Sequence, residues 1–299
     1  MKTINLDGII TPLITPLNSD FSLDIVALKK IIEHIIEGGV SAVFPLGTTG
    51  EFCSFSMTMQ KQVITEVCAA VNGRIPVLVG ISSPSLHDTY VLAEVAKNCQ
   101  ADALVATLPF YYRLSQEEVV DYYTTLANKV DLPLFLYNMP GQTKINIEIE
   151  TVLTLSKHPN IVGLKDSSAN MKYFADLATL FKNTDFTLYV GPEEKLAESL
   201  KLGAHGGVNG GSNLYPKLYV SLFKAFKEGD IARVEKIQMQ ILKLSRTVYN
   251  LTNNPNSYLQ GLKAAMNING LCEATLAIPL KELSGHLKID LREKLTTLF

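Results

Sequence analysis

Two side chains in this sequence stand where chemistry is done. Lys165 closes the apolar run Asn160-Ile161-Val162-Gly163-Leu164, and Tyr137 closes an earlier run, Leu134-Phe135-Leu136. A lysine emerging between dry walls loses solvation that favours its ammonium form, and a neutral amine adds to carbonyl carbon. A phenol within its reach can pass protons among a carbonyl oxygen, a carbinolamine and a leaving alkoxide. Taken singly, a strand-end lysine is more often a rim residue that snorkels or pairs, and a buried tyrosine often makes only a structural hydrogen bond. The two together, on neighbouring strands, point to imine chemistry. A third segment, Gly47-Thr48-Thr49-Gly50-Glu51, offers successive backbone N–H groups and two hydroxyls, a nest suited to a small carboxylate. It reads equally as a turn with helix-capping threonines. No Gly-Lys-Ser/Thr follows, so it is not a nucleotide P-loop.

These residues need a scaffold, and the chain repeats one. Short apolar runs fall near 8–14, 41–46, 76–81, 102–108, 132–138, 160–165, 186–191 and 205–210. Helical periodicity fills 22–38, 57–71, 85–99, 115–129, 147–157, 170–183, 193–202 and 214–227. Ser22 is the expected cap of the first helix, and Ser115 with Glu118 three residues on is a capping-box pattern. Alternating strands and helices imply a parallel sheet buried on both faces. A doubly wound fold would place a GxGxxG turn after its first strand, but Thr11-Pro12-Leu13-Ile14-Thr15-Pro16 stands there. Repeated strand–helix units over residues 1–229 therefore predict a (β/α)8 TIM barrel. Residues 230–299 stay helical, at 230–250, 257–268 and 279–297, and read as a C-terminal helical extension.

Barrel active sites form where strands end. That rule selects, besides the segments above, Phe110-Tyr111-Tyr112-Arg113, Ser167-Ser168, Gly191-Pro192-Glu193-Glu194 and Asn209-Gly210-Gly211-Ser212.

Composition narrows the partners. The 299 residues are 47% hydrophobic and 19% charged, which supports a large core, and a net charge of −2 gives no electrostatic case for nucleic acid. No run approaches a membrane span, and Pro12 and Pro16 break the apolar stretch of a poor secretory signal. Cys53, Cys68, Cys99 and Cys272 are scattered without CxxC spacing, which suits reduced thiols in a cytoplasm. His34, His87, His158, His205 and His286 show no HxxxH or HExxH spacing, and no metal is expected.

GTTGEF, the Tyr111 region, YNMP, GLKDSS and GGVNGGSN occur in that order with barrel spacing. Together they resemble the dihydrodipicolinate synthase/N-acetylneuraminate lyase family of pyruvate-dependent class I aldolases, from about residue 6 to 230. By that resemblance Lys165 matches the lysine that condenses with pyruvate and Tyr137 the tyrosine that relays protons. Thr48 and Thr49, beside Gly47, match the grip on the pyruvate carboxylate. Tyr111 matches a tyrosine that reaches a neighbouring subunit's site. Val208 falls where a residue packs near the imine, and Gly191 lines the pocket. The resemblance also implies a homotetramer made of two dimers and a covalent imine in place of any cofactor.

The pattern departs from the family at one informative place. Where dihydrodipicolinate synthases usually carry an arginine for the second substrate's carboxylate, this chain has Gly141-Gln142-Thr143. Gln142 can bond hydroxyls but cannot form a bidentate ion pair. Ser167 and Glu193 fall near positions that bind sugar hydroxyls in the lyases, although Glu193 also reads as helix N-terminal charge. The expected activity is reversible cleavage of a 2-keto-3-deoxy sugar acid, or an N-acetylneuraminate-like acid, to pyruvate and an aldehyde. The alternatives are dihydrodipicolinate synthase, which joins pyruvate to aspartate semialdehyde, and a non-catalytic pyruvate-binding barrel. A phosphate-binding site at GGVNGGSN is a further rival.

Overall fold

A computed structural model describes residues 6–298. Residues 1–5, where the poor secretory signal begins, and residue 299, the end of the extension, lie outside the described residues.

The strands are β1 Gly8–Pro12, β2 Ala42–Phe44, β3 Leu78–Gly80, β4 Ala103–Thr107, β5 Leu134–Asn138, β6 Ile161–Asp166, β7 Thr187–Val190 and β8 Gly206–Val208. They pair in parallel in the order β2-β1-β8-β7-β6-β5-β4-β3, and a bridge between Val43 and Val77 joins the ends of the sheet. The result is the expected (β/α)8 TIM barrel.

Side chains alternate across each strand, so one set fills the barrel and the other faces the helices. Ile10, Phe44, Leu78, Val105, Phe135, Tyr137, Tyr189 and Val208 form the inner cluster. Their neighbours Ile9, Val43, Val79, Leu104, Leu136, Leu164 and Leu188 pack in the larger cluster between sheet and helices. That two-sided burial explains why each strand reads as an unbroken apolar run rather than an alternating one.

The helices are α1 Ile25–Glu37, α2 Met57–Val71, α3 Leu86–Asn98, α4 Gln116–Lys129, α5 Pro140–Thr143, α6 Ile149–Leu155, α7 Met171–Phe181, α8 Leu196–Leu202, α9 Pro216–Lys227, α10 Ile231–Tyr249, α11 Ser257–Ile268 and α12 Gly285–Thr296. Ser115 and Glu118 form the expected capping box on α4. At α1 the cap is Asp24, which accepts from Ala27 N–H, and not Ser22; Ser22 instead bonds Asp20 in the preceding turn. The periodic stretch 193–202 divides into a 3-10 turn, Glu193–Lys195, and α8. The last helix starts at Gly285, later than the predicted 279. In the extension, α10 packs against α9 and the turn after β7, and α11 packs against α10 and the Gly210–Asn213 turn after β8. The extension thus reaches the end of the barrel where the strands terminate.

Candidate active site

A cavity of about 320 Å³ opens at the carboxyl ends of the strands. Thr48, Thr49, Tyr137, Gln142, Lys165, Ser167, Gly191, Glu193 and Val208 all line it, so most of the predicted residues converge. Two do not. Gly47 is buried, with the Phe44 ring where a Cβ would stand. Tyr111 is 82% exposed and stands edge-on to Tyr112.

Sheet register brings Lys165 and Tyr137 together. Tyr137 on β5 lies opposite Lys165 on β6, both pointing into the barrel. The Lys165 Nζ sits 3.9 Å from the centre of the Tyr137 ring and 4.9 Å from that of Phe44. One residue further, Asn138 lies opposite Asp166 and donates to its Oδ1 at 2.9 Å. Ser168 also donates to the Asp166 carboxylate, and the Asn138 Oδ1 accepts from Ile147 N–H. These buried bonds lock β5 to β6 next to the pair, which explains a purpose for Asn138 and Asp166 that strand-end reasoning does not supply.

Lys165 is 6% exposed, and burial lowers its pKa against the opposing pull of Tyr137. Among the described side chains its ammonium has no carboxylate within ion-pair distance in the cavity, so the dry walls favour the amine. For the Tyr137 phenol, burial pushes its pKa up, but the Lys165 charge and hydrogen bonding with Thr48, Lys165 and Ser167 outweigh it and hold it below the ordinary value. The Thr48 hydroxyl lies 3.1 Å from the Tyr137 oxygen. The two groups are coupled: a proton leaving the Lys165 ammonium frees an amine that can attack a ketone, and the adjacent phenol can move the proton that the attack requires.

Glu193 is 3% exposed and its bonds go inward. It accepts from the Tyr219 hydroxyl, from the Tyr249 hydroxyl at 3.0 Å and from the Gly211 N–H at 2.9 Å. Burial nevertheless raises its carboxyl to about 7. Glu193 stands in the first turn of the 3-10 helix Glu193–Lys195, and it is also a buried acceptor in a ring of phenols. Glu194, exposed at the rim, accepts from Ser245.

The same bonds bear on the phosphate rival. Gly211 N–H is already committed to Glu193, while Ser212 and Asn213 donate to Asn209, Thr11 and Pro12 within the barrel end. These donors of the turn are engaged within the protein, which weakens the case for a phosphate cradle there. Tyr219, Tyr249 and Tyr258 escape a strand-end search because they sit on α9, α10 and α11. Among the described residues, no group of three or more His, Cys, Asp or Glu side chains is placed to hold a metal.

The model of the dihydrodipicolinate synthetase family matches residues 5–298. This chain belongs to that family. It is 43% identical to a dihydrodipicolinate synthase from Bacteroides thetaiotaomicron of known structure, with a TM-score of 0.95 over 98% of this chain and 99% of that one. A prophage protein of the same family from E. coli K12, solved in complex with pyruvate, is 28% identical, with a TM-score of 0.93 and 98% of each chain covered. A probable 2-dehydro-3-deoxy-D-pentonate aldolase of Escherichia coli (strain K12) is 31% identical over 97% of this chain and 96% of its own. The relatives thus divide between a synthase and a probable sugar-acid aldolase. Among the described residues no helix is long and apolar enough to cross a membrane.

Proposed function

We propose that the protein is a Schiff-base-forming class I aldolase that cleaves a 2-keto-3-deoxy sugar acid to pyruvate and a hydroxylated aldehyde, reversibly. The observation that carries this is the pairing of buried Lys165 with Tyr137 across β5 and β6, with Thr48 on the phenol. Lys165 Nζ adds to the keto carbon, Tyr137 delivers a proton to the carbinolamine oxygen, and water leaves as the imine forms. The protonated imine then accepts the electron pair of the C3–C4 bond while Tyr137 removes the proton of the C4 hydroxyl, releasing the aldehyde and an enamine. Protonation at C3 and hydrolysis return pyruvate and Lys165. The imine is itself the electron sink, so no metal or organic cofactor takes part. Thr48 and Thr49 hold the carboxylate.

The lining of the cavity favours a neutral, hydroxylated aldehyde. Among its described residues Lys165 is the lone cation, whereas Glu193 and Glu194 stand in the wall and Gln142, Ser167 and Asn256 offer hydroxyl partners. A carboxylate-bearing aldehyde finds no arginine there. The 43% identity to a dihydrodipicolinate synthase supports the competing reading, condensation of pyruvate with aspartate semialdehyde. Condensation assays separate them. With pyruvate saturating, kcat/KM for glyceraldehyde should exceed that for aspartate semialdehyde by at least about tenfold; the opposite order would assign the synthase reaction. The four free cysteines suit a reducing cytoplasm. Exposed Tyr111 and Tyr112 suit a subunit interface of the homotetramer, with Tyr111 completing the neighbour's site.

A further inference from the structure

Helix α11 grips the segment Thr48–Glu51 at two points. Tyr258 shares a 2.9 Å hydrogen bond with the Thr49 hydroxyl, across 209 positions of sequence. Further along the same helix, Lys263 pairs with Glu51 at 2.6 Å, with both side chains out of solvent. Lys263 also donates to the Thr275 carbonyl at 2.6 Å, and the second Glu51 oxygen accepts from Ala277 N–H at 2.8 Å. Glu51 has φ 58, a left-handed conformation that a glutamate holds only where its surroundings fix it. The phenol is fixed from its other side as well. Gly210 faces it, and a Cβ there would overlap the Tyr258 oxygen.

We propose that Tyr258 is a positioning residue for the substrate carboxylate, holding the Thr49 hydroxyl so that its proton faces the 2-keto acid; this rests on the imine reading above. A carboxylate only accepts hydrogen bonds. Once it occupies the cavity, Thr49 donates to it, and the Thr49 oxygen is left to accept from the Tyr258 O–H. Burial raises the pKa of this phenol, so it remains a neutral donor. Removing the O–H leaves the Thr49 hydroxyl free to rotate away from the substrate. The two threonines are therefore held by two phenols with different duties. Tyr137, on Thr48, reacts; Tyr258, on Thr49, orients.

The test uses the full chain, unaltered and as Tyr258→Phe, Thr49→Val and the double variant. Each is titrated with pyruvate, or with pyruvamide, which has the ketone but no carboxylate. The Lys165 adduct is counted by mass spectrometry after borohydride reduction, and a circular-dichroism melt checks the fold. Tyr258→Phe should raise the half-saturating pyruvate concentration about tenfold, as expected for a hydrogen bond to a charged group, and leave the plateau within about twofold. Pyruvamide should shift less than about twofold in the same variant. Thr49→Val, which leaves the phenol untouched, should show the same carboxylate-selective loss, and the double variant little beyond it. Equal losses for both ketones, or an unchanged pyruvate titration in Tyr258→Phe, would overturn the positioning role. No adduct in the unaltered protein would remove the imine reading itself, a failure visible before any substitution is made.

Discussion

One wall of the cavity is made by barrel strand ends, with Lys165 on β6 and Tyr137 on β5; another is made by Glu193 with Tyr249 and Tyr258 from the helical extension. The first leaves an amine between aromatic rings with few polar partners. The second surrounds a carboxylate with donors until its inner oxygens are satisfied. The amine, with the Tyr137 phenol as its polar partner, is favoured by burial toward its neutral form, whereas the carboxylate is held by three donors. On the proposed reading, the first wall makes bonds and the second fixes where the substrate lies.

The largest effect expected from breaking this division falls on the strand-end wall. Tyr137→Phe keeps the ring packed on Phe44 but removes the proposed proton relay, and kcat should fall by about 10²–10⁴-fold with little change in melting temperature. Steady-state kinetics and a thermal melt check both halves; a variant of near-normal kcat would move the relay elsewhere.

Removing a grip of the extension should cost stability before chemistry. Lys263→Met strands the buried Glu51 carboxylate, and a loss of about 3–5 kcal/mol in urea unfolding is expected. Adding Glu51→Gln should recover part of it, because the uncompensated charge is then gone. If Lys263→Met unfolds like the parent, the clamp contributes nothing to holding the segment.

Glu193 gives the third and smallest effect. Its carboxyl is raised from 4.5 to about 7 by burial, so the folded protein retains a proton that the unfolded chain releases. That contribution to stability is complete below about pH 4.5 and is lost as pH rises to about 7, a change on the order of 3 kcal/mol. Glu193→Gln should flatten this part of the stability–pH curve, measured by urea unfolding at several pH values. An unchanged slope in the variant would place the titration on another group.

The two walls were also unequally legible in the sequence. Strand-end logic found Lys165, Tyr137, Thr48 and Ser167 because their positions follow directly from where apolar runs stop. The same logic reached Glu193 but not its partners. Tyr249 and Tyr258 lie on helices whose periodicity looks like ordinary core packing, and the Tyr258–Thr49 bond spans 209 residues. Glu51 was visible as part of a nest, yet its pairing with Lys263 depends on how the extension folds back over the barrel. The cap of α1 falls two residues after Ser22 because Asp24 offers a carboxylate at the helix start. Tyr111 lies outside the cavity of one subunit, and its expected reach into a neighbour is a property of an assembly.

The measurement that bears most directly on the whole account is peptide mass spectrometry after incubation with pyruvate and borohydride. A reduced pyruvate adduct confined to the peptide carrying Lys165, absent in Lys165→Arg, is the expected result. No adduct in the folded protein with pyruvate in excess, or one spread over surface lysines and retained in Lys165→Arg, would contradict imine chemistry at this site.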